Sequence, residues 1–220
     1  MKIETLKKIK PNNITDEIYS EISKLGLSNK LIKKCSSLLI MQLDYIIKNN
    51  LENVFKIIHE INSMENDDKS SRTKPETPFR KNHLKGLYHK HYEGTGLESL
   101  EVNIRNHLKK NNIQTDFGIW LKDYLKKNKE KNTFLDDMDF LNISRKFSEA
   151  IIYDSFNKKA SSKTLTGHWI IYAKNNNNNY YLCISRHSNS ISDDLVIRNK
   201  IDETCISQFP FLKDILSIHS

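Results

Sequence analysis

Between Phe79 and Gly96 the chain reads FRKNHLKGLYHKHYEGTG and holds three of its eight histidines, four cations, two tyrosines and three of its six glycines. In a strand, His89 and His91 point to one face, and Lys85 and Leu87 do likewise. Two imidazoles and an ammonium on one pocket suit acid–base chemistry at a phosphodiester. One imidazole takes the 2′-hydroxyl proton, the other protonates the leaving oxygen, and Lys85 stabilises the charged phosphorane. The plain alternative is three solvated histidines in a Lys-rich loop. A His-x-His pair also suits a transition metal, with a third ligand from His168, His187 or Glu93. No HExxH, no cysteine pair and no acidic run at ligand spacing supports that.

A second cluster brackets two apolar runs. Thr164-Leu-Thr166-Gly167-His168-Trp169 enters the first run, and Ser185-Arg186-His187-Ser188 leaves the second. Trp169–Ala173 and Tyr180–Ile184 predict a hairpin whose loop is the asparagine run Asn175–Asn179. The two ends of a hairpin meet, so Thr166, His168, Arg186 and His187 are expected on one rim. Tyr172, Tyr180 and Tyr181 lie on the same strands, where large aromatics either stack on bases or fill the core. Neither run alternates strictly, which predicts strands covered on both faces. His59 and His107 fall on helix faces, and His219 is in the tail.

The chain has 220 residues and a formal net charge of +8. Lysines outnumber arginines 29 to 6, a bias that AT-rich codon usage would also produce. Residues 79–134 carry 12 Lys or Arg against 6 Asp or Glu, while residues 135–220 balance at 10 against 10. A local basic excess is the footprint of a polyanion partner or the solvated face of a Lys-rich helix. Arg80, Lys81, Lys90, Arg105, Lys109, Lys110 and Arg186 are the candidate phosphate contacts. Cys35, Cys183 and Cys205 show no CxxC spacing and lie in apolar runs, which predicts buried free thiols in a reducing compartment. No signal-peptide pattern and no membrane-length apolar run is present, so a cytoplasmic protein without membrane contact is expected. GxxxxGK[ST], GxGxxG and GxSxG are all missing, which disfavours nucleotide hydrolysis, dinucleotide redox chemistry and serine hydrolysis.

These residues need elements to hold them. Apolar positions at a period of 3.6 predict helices over 14–25, from Ser28 to Ile47, and over 51–64. Residues 1–66 therefore form a helical subdomain. The polar stretch 65–78, ENDDKSSRTKPETP, predicts a linker. Residues 79–220 follow as the candidate catalytic domain, with helices near 97–110, 116–127 and 140–158, the hairpin, and a helix near Leu195. The fold class is α+β: a helical subdomain, then helices with an antiparallel sheet.

The helix-led segment closing on an apolar hairpin, with Lys85, His89, His91, Thr166, Tyr181 and His187, resembles the small metal-independent ribonucleases of bacterial toxin systems. These are the RelE-like and colicin-like toxins, grouped with barnase and EndoU. The resemblance covers 79–220, and the order of the histidine pair ahead of the hairpin is similar to the EndoU type. It implies RNA cleavage without cofactor or metal, to 2′,3′-cyclic phosphates, in a toxin or phage-defence setting. Lys85, His89, His91, Thr166, Tyr181 and His187 would be catalytic. The long helical N-terminal third departs from RelE-like toxins and would bind a protein partner or antitoxin, dimerise or hold RNA. Two other readings stay open. One is a non-catalytic inhibitor or adaptor that binds nucleic acid or protein through 79–134. The other is a metal-dependent hydrolase built on the His-x-His pair.

Overall fold

The computed structural model describes residues 14–66, 70–80, 82–94, 113–130, 137–149, 160–161, 168–186 and 190–217. Its helices are α1 (Asp16–Lys24), α2 (Asn29–Ile32), α3 (Ser37–Lys48), α4 (Val54–Glu65), α5 (Ile113–Glu130), α6 (Asp137–Ser148), α7 (Ile191–Thr204) and α8 (Leu212–Ser217). The strands are β1 (Thr77–Pro78), β2 (Tyr88–Tyr92), β3 (His168–Asn175) and β4 (Asn178–Ser185), all antiparallel in the order β1-β2-β3-β4. The fold is α+β. The expected helix at 97–110 lies outside the described residues, as does residue 150 onward of the one expected at 140–158. None of the described helices is long and apolar enough to cross a membrane.

Local chemistry sets the boundaries. Thr15, Ser28, Ser36, Asn53 and Ser190 each accept a hydrogen bond from the first turn of the helix that follows. Gly26 ends α1 at φ +106°, a backbone state that disfavours any side chain. The single helix expected from Ser28 is broken in two, because Lys34–Ser36 runs alongside β4 instead. Ser36 N–H donates to the Tyr181 carbonyl (2.8 Å) and Tyr181 N–H to the Lys34 carbonyl (2.9 Å). Ser36 then starts α3 afresh, so the apolar period survives the break. The asparagine run is also shorter as a loop than expected. Asn175, Asn178 and Asn179 stand in the strands, and only Asn176 and Asn177 turn, at φ 48° and 59°. Asparagine tolerates that left-handed pair, which is what a two-residue hairpin needs.

Residues paired in register share a face. Tyr88, Lys90 and Tyr92 stand with Tyr172, Ile170 and His168 on one face, and His89 and His91 stand with Ile171 and Trp169 on the other. Ile171 pairs with Cys183 but Tyr172 with Tyr181, so Leu182 is an extra residue that bulges β4 and turns Tyr181 toward the first face. That face meets α4 through Glu60 and Glu65, which bond Lys90 and Tyr181. The opposite face meets the C-terminal segment, where Phe209 and Phe211 lie 5.1 and 4.7 Å from the Tyr180 ring. One buried cluster runs from Ile18 through the sheet to Leu216.

The outer edge of β4 is closed by a side chain. Gln42, fully buried on α3, donates to the Ile184 carbonyl (2.9 Å) and accepts from the Ile184 N–H (2.7 Å), as a neighbouring strand would. Gln42→Leu keeps the volume but leaves two buried backbone groups unmatched, at about 1–3 kcal/mol each. Chemical denaturation should register that loss. A change under about 0.5 kcal/mol, the range of surface substitutions, would contradict this role.

The described residues of 65–78, expected as a linker, are fastened at both ends. Glu65 accepts from Lys34 (2.8 Å) and Tyr181 (2.9 Å), and Glu76 accepts from Tyr172 and Lys174. Burial pushes both carboxyls up, but these hydrogen bonds outweigh it and hold them below the ordinary value of 4.5. Between them, Ser71 and Thr73 reach into the sheet. Lys90 Nζ donates to Ser71 Oγ (2.8 Å), Thr73 Oγ1 (2.7 Å) and the Lys74 carbonyl (2.8 Å), and lies 3.3 Å from Glu60. Ser71 Oγ donates to Glu60 (2.8 Å) and Thr73 Oγ1 to the His91 carbonyl (2.7 Å).

Candidate active site at the sheet rim

The ends of β2, β3 and β4 that face away from the hairpin turn form one rim. Tyr92 pairs with His168 there, and Arg186 follows Ser185, the partner of Trp169. The antiparallel register of β3 and β4 therefore brings His168 and Arg186 to one end of the sheet. The connection between α3 and α4 adds Glu52. Its carboxylate accepts from the Tyr92 hydroxyl (2.7 Å) and lies 3.5 Å from His168 Nε2. The His168 and Glu52 side chains are 15% and 11% exposed, so both can meet a ligand at the rim while most of each is held. The Tyr92 and His168 rings are 5.7 Å apart in an edge arrangement. Burial, then Glu52, raise the Tyr92 hydroxyl pKa well above its usual 10, against an opposing effect of the half-buried Arg186. Tyr92 thus stays protonated and serves as a donor. An imidazole against a carboxylate, with a guanidinium in electrostatic range, can move a proton and hold an anion.

The histidine pair takes a different place. His89 is half-buried between Phe79 (4.6 Å between ring centroids) and Trp169 (5.0 Å), and its ring lies 5.4 Å from that of His91. His91 is 4% exposed. Both stand on the face opposite His168, as register requires. Lys85 does not join them. It is exposed in a turn, closed by Leu87 N–H donating to the Leu84 carbonyl (3.1 Å), and the strand begins only at Tyr88. The alternation that linked Lys85 to the histidines therefore does not reach it.

Two further expectations are corrected. Tyr181 is fully buried and donates to Glu65, and burial, then that carboxylate, push its hydroxyl pKa up. It is a core residue, because the bulge at Leu182 turns it toward the N-terminal helices. Lys90 is 5% exposed, with its ammonium engaged by Ser71, Thr73, Lys74 and Glu60, so it is no phosphate contact. Arg80 is exposed and Arg186 is at the rim. Thr166, His187, Lys81, Arg105, Lys109 and Lys110 lie outside the described residues.

The three cysteines are free and buried, as expected. Burial is the largest cause raising each thiol, so none is poised as a nucleophile. Among the described residues, no three His, Cys, Asp or Glu side chains converge as metal ligands. Glu52 was not legible as a site residue. It belongs to the polar break between two helices, and only folding carries it to Tyr92, 40 positions later.

Comparisons with protein-family models, with curated proteins and with solved structures find no match.

Proposed function

We propose that the chain is a metal-independent endoribonuclease whose reaction takes place at the sheet rim. The observation that carries this reading is the convergence of His168, Arg186, Tyr92 and Glu52 at one end of the sheet. In this reading His168 accepts the 2′-hydroxyl proton of RNA. The freed oxygen attacks phosphorus, the bond to the 5′-oxygen breaks, and a 2′,3′-cyclic phosphate remains. Arg186 stabilises the charge that builds on the phosphoryl oxygens. His187, next to Arg186 in the sequence, is the candidate acid that protonates the departing oxygen. Thr166, two residues before His168, is the candidate to position the phosphate. The basic excess of 79–134 supports a polyanionic substrate.

This assignment moves the chemistry from His89 and His91 to His168. A nearly buried His91 and a His89 held between two rings offer less to a phosphodiester than the partly open rim. The test is incubation of the purified chain with total RNA, with and without EDTA. The reading expects equal cleavage in both, leaving cyclic phosphate ends. Cleavage lost with EDTA would transfer the chemistry to a metal. Salt-sensitive RNA binding without cleavage would favour the non-catalytic adaptor instead.

A further inference from the structure

We infer that Glu52 is a positioning residue for His168, and that the N-terminal helices therefore complete the active site. The inference rests on the ribonuclease reading and adds a role for the helical third, which the sequence associates with partner binding. One carboxylate oxygen of Glu52 is committed to the Tyr92 hydroxyl at 2.7 Å. The other faces His168 Nε2 at 3.5 Å. Tyr92 is fully buried, so the first contact fixes the carboxylate, and the second aims the imidazole and favours its protonated form. Among the described residues, the charged and titratable groups at this rim are Glu52 from the α3–α4 connection, Tyr92 from β2 and Arg186 after β4. Burial holds the Tyr92 hydroxyl protonated, so Glu52 is the carboxylate that the geometry sets against the imidazole.

The connection that carries Glu52 is itself held firmly. Asn53 caps α4 by accepting from Phe55 N–H (3.0 Å), and Leu51 N–H donates to the Ile46 carbonyl (3.2 Å). Glu52 sits between these two anchors, on the same side of the sheet as His168. Its role is orientation, because the proton passes between His168 and the substrate.

Glu52→Gln tests this in the full chain, since glutamine keeps the size and still accepts from Tyr92. RNA cleavage is expected to lose about tenfold or more in kcat, a smaller loss than removing the imidazole itself. KM is expected to stay within about twofold. The acid limb of the pH–rate profile, and the His168 imidazole titration followed by nitrogen NMR, should both move to lower pH. Glu52→Asp, which restores the charge, should recover part of both. An unchanged His168 titration in Glu52→Gln, with an unchanged pH profile, would overturn the inference. If the wild-type chain cleaves no RNA, the ribonuclease reading fails by itself. The imidazole titration needs no substrate and then decides the pairing alone: a downward shift upholds it, and no shift overturns it.

Discussion

His168→Ala is expected to lower RNA cleavage by about 10²–10⁴-fold, the usual contribution of a positioned proton-transfer group. The side chain faces a carboxylate at the rim and is 15% exposed, packed edge-on to Tyr92, so its loss removes the chemistry and costs some packing, and rates are compared per folded protein. The contrast with His91→Ala makes the test discriminating. His91 is 4% exposed, and the opposite face of the sheet holds it against His89. Its replacement should act first on stability, with a folded fraction that keeps its turnover. Initial rates in EDTA, divided by the folded fraction from circular dichroism, separate the two effects. Full activity in His168→Ala with loss in a well-folded His91→Ala would return the site to the histidine pair.

Lys90→Ala is expected to cost about 3–5 kcal/mol of stability, because it strands a buried carboxylate. The Lys90 and Glu60 side chains are 7% and 5% exposed, and Ser71 and Thr73 complete the network. Such a loss is a large share of a typical total of about 5–15 kcal/mol. The double change Lys90→Met/Glu60→Leu should recover much of it, since no lone charge remains. Urea denaturation of the two variants measures this. The sequence placed Lys90 among phosphate contacts, where its loss would leave stability nearly intact and reduce the salt slope of RNA binding by about one. That pattern would contradict the buried network.

The contrast between Lys90 and His168 shows what the amino-acid order carries. Two β-rich apolar runs on either side of the asparagines marked the hairpin, and the apolar period marked α1, α3 and α4, because those signals are local. The break at Lys34–Ser36 was invisible, since its cause is the edge of β4 at Tyr181, far along the chain. Lys85 was placed by extending a strand period through a turn. Lys90 and Tyr181 were read as functional because their residue types suit phosphate chemistry, while their partners Glu60 and Glu65 sit on a helix with no motif. The meeting of His168 and Arg186 was legible from hairpin geometry. Glu52 was not, because its only signal is a contact made by the tertiary fold.

The most direct test of metal-free attack by a ribose hydroxyl uses one short single-stranded RNA, incubated in EDTA. Its cleaved position is mapped first, and then a second oligonucleotide carries a 2′-deoxy sugar at that position alone. The account predicts that cleavage there disappears and that the unmodified RNA yields a 2′,3′-cyclic phosphate end. Cleavage that persists at the deoxy position, or any requirement for a divalent metal, would contradict it.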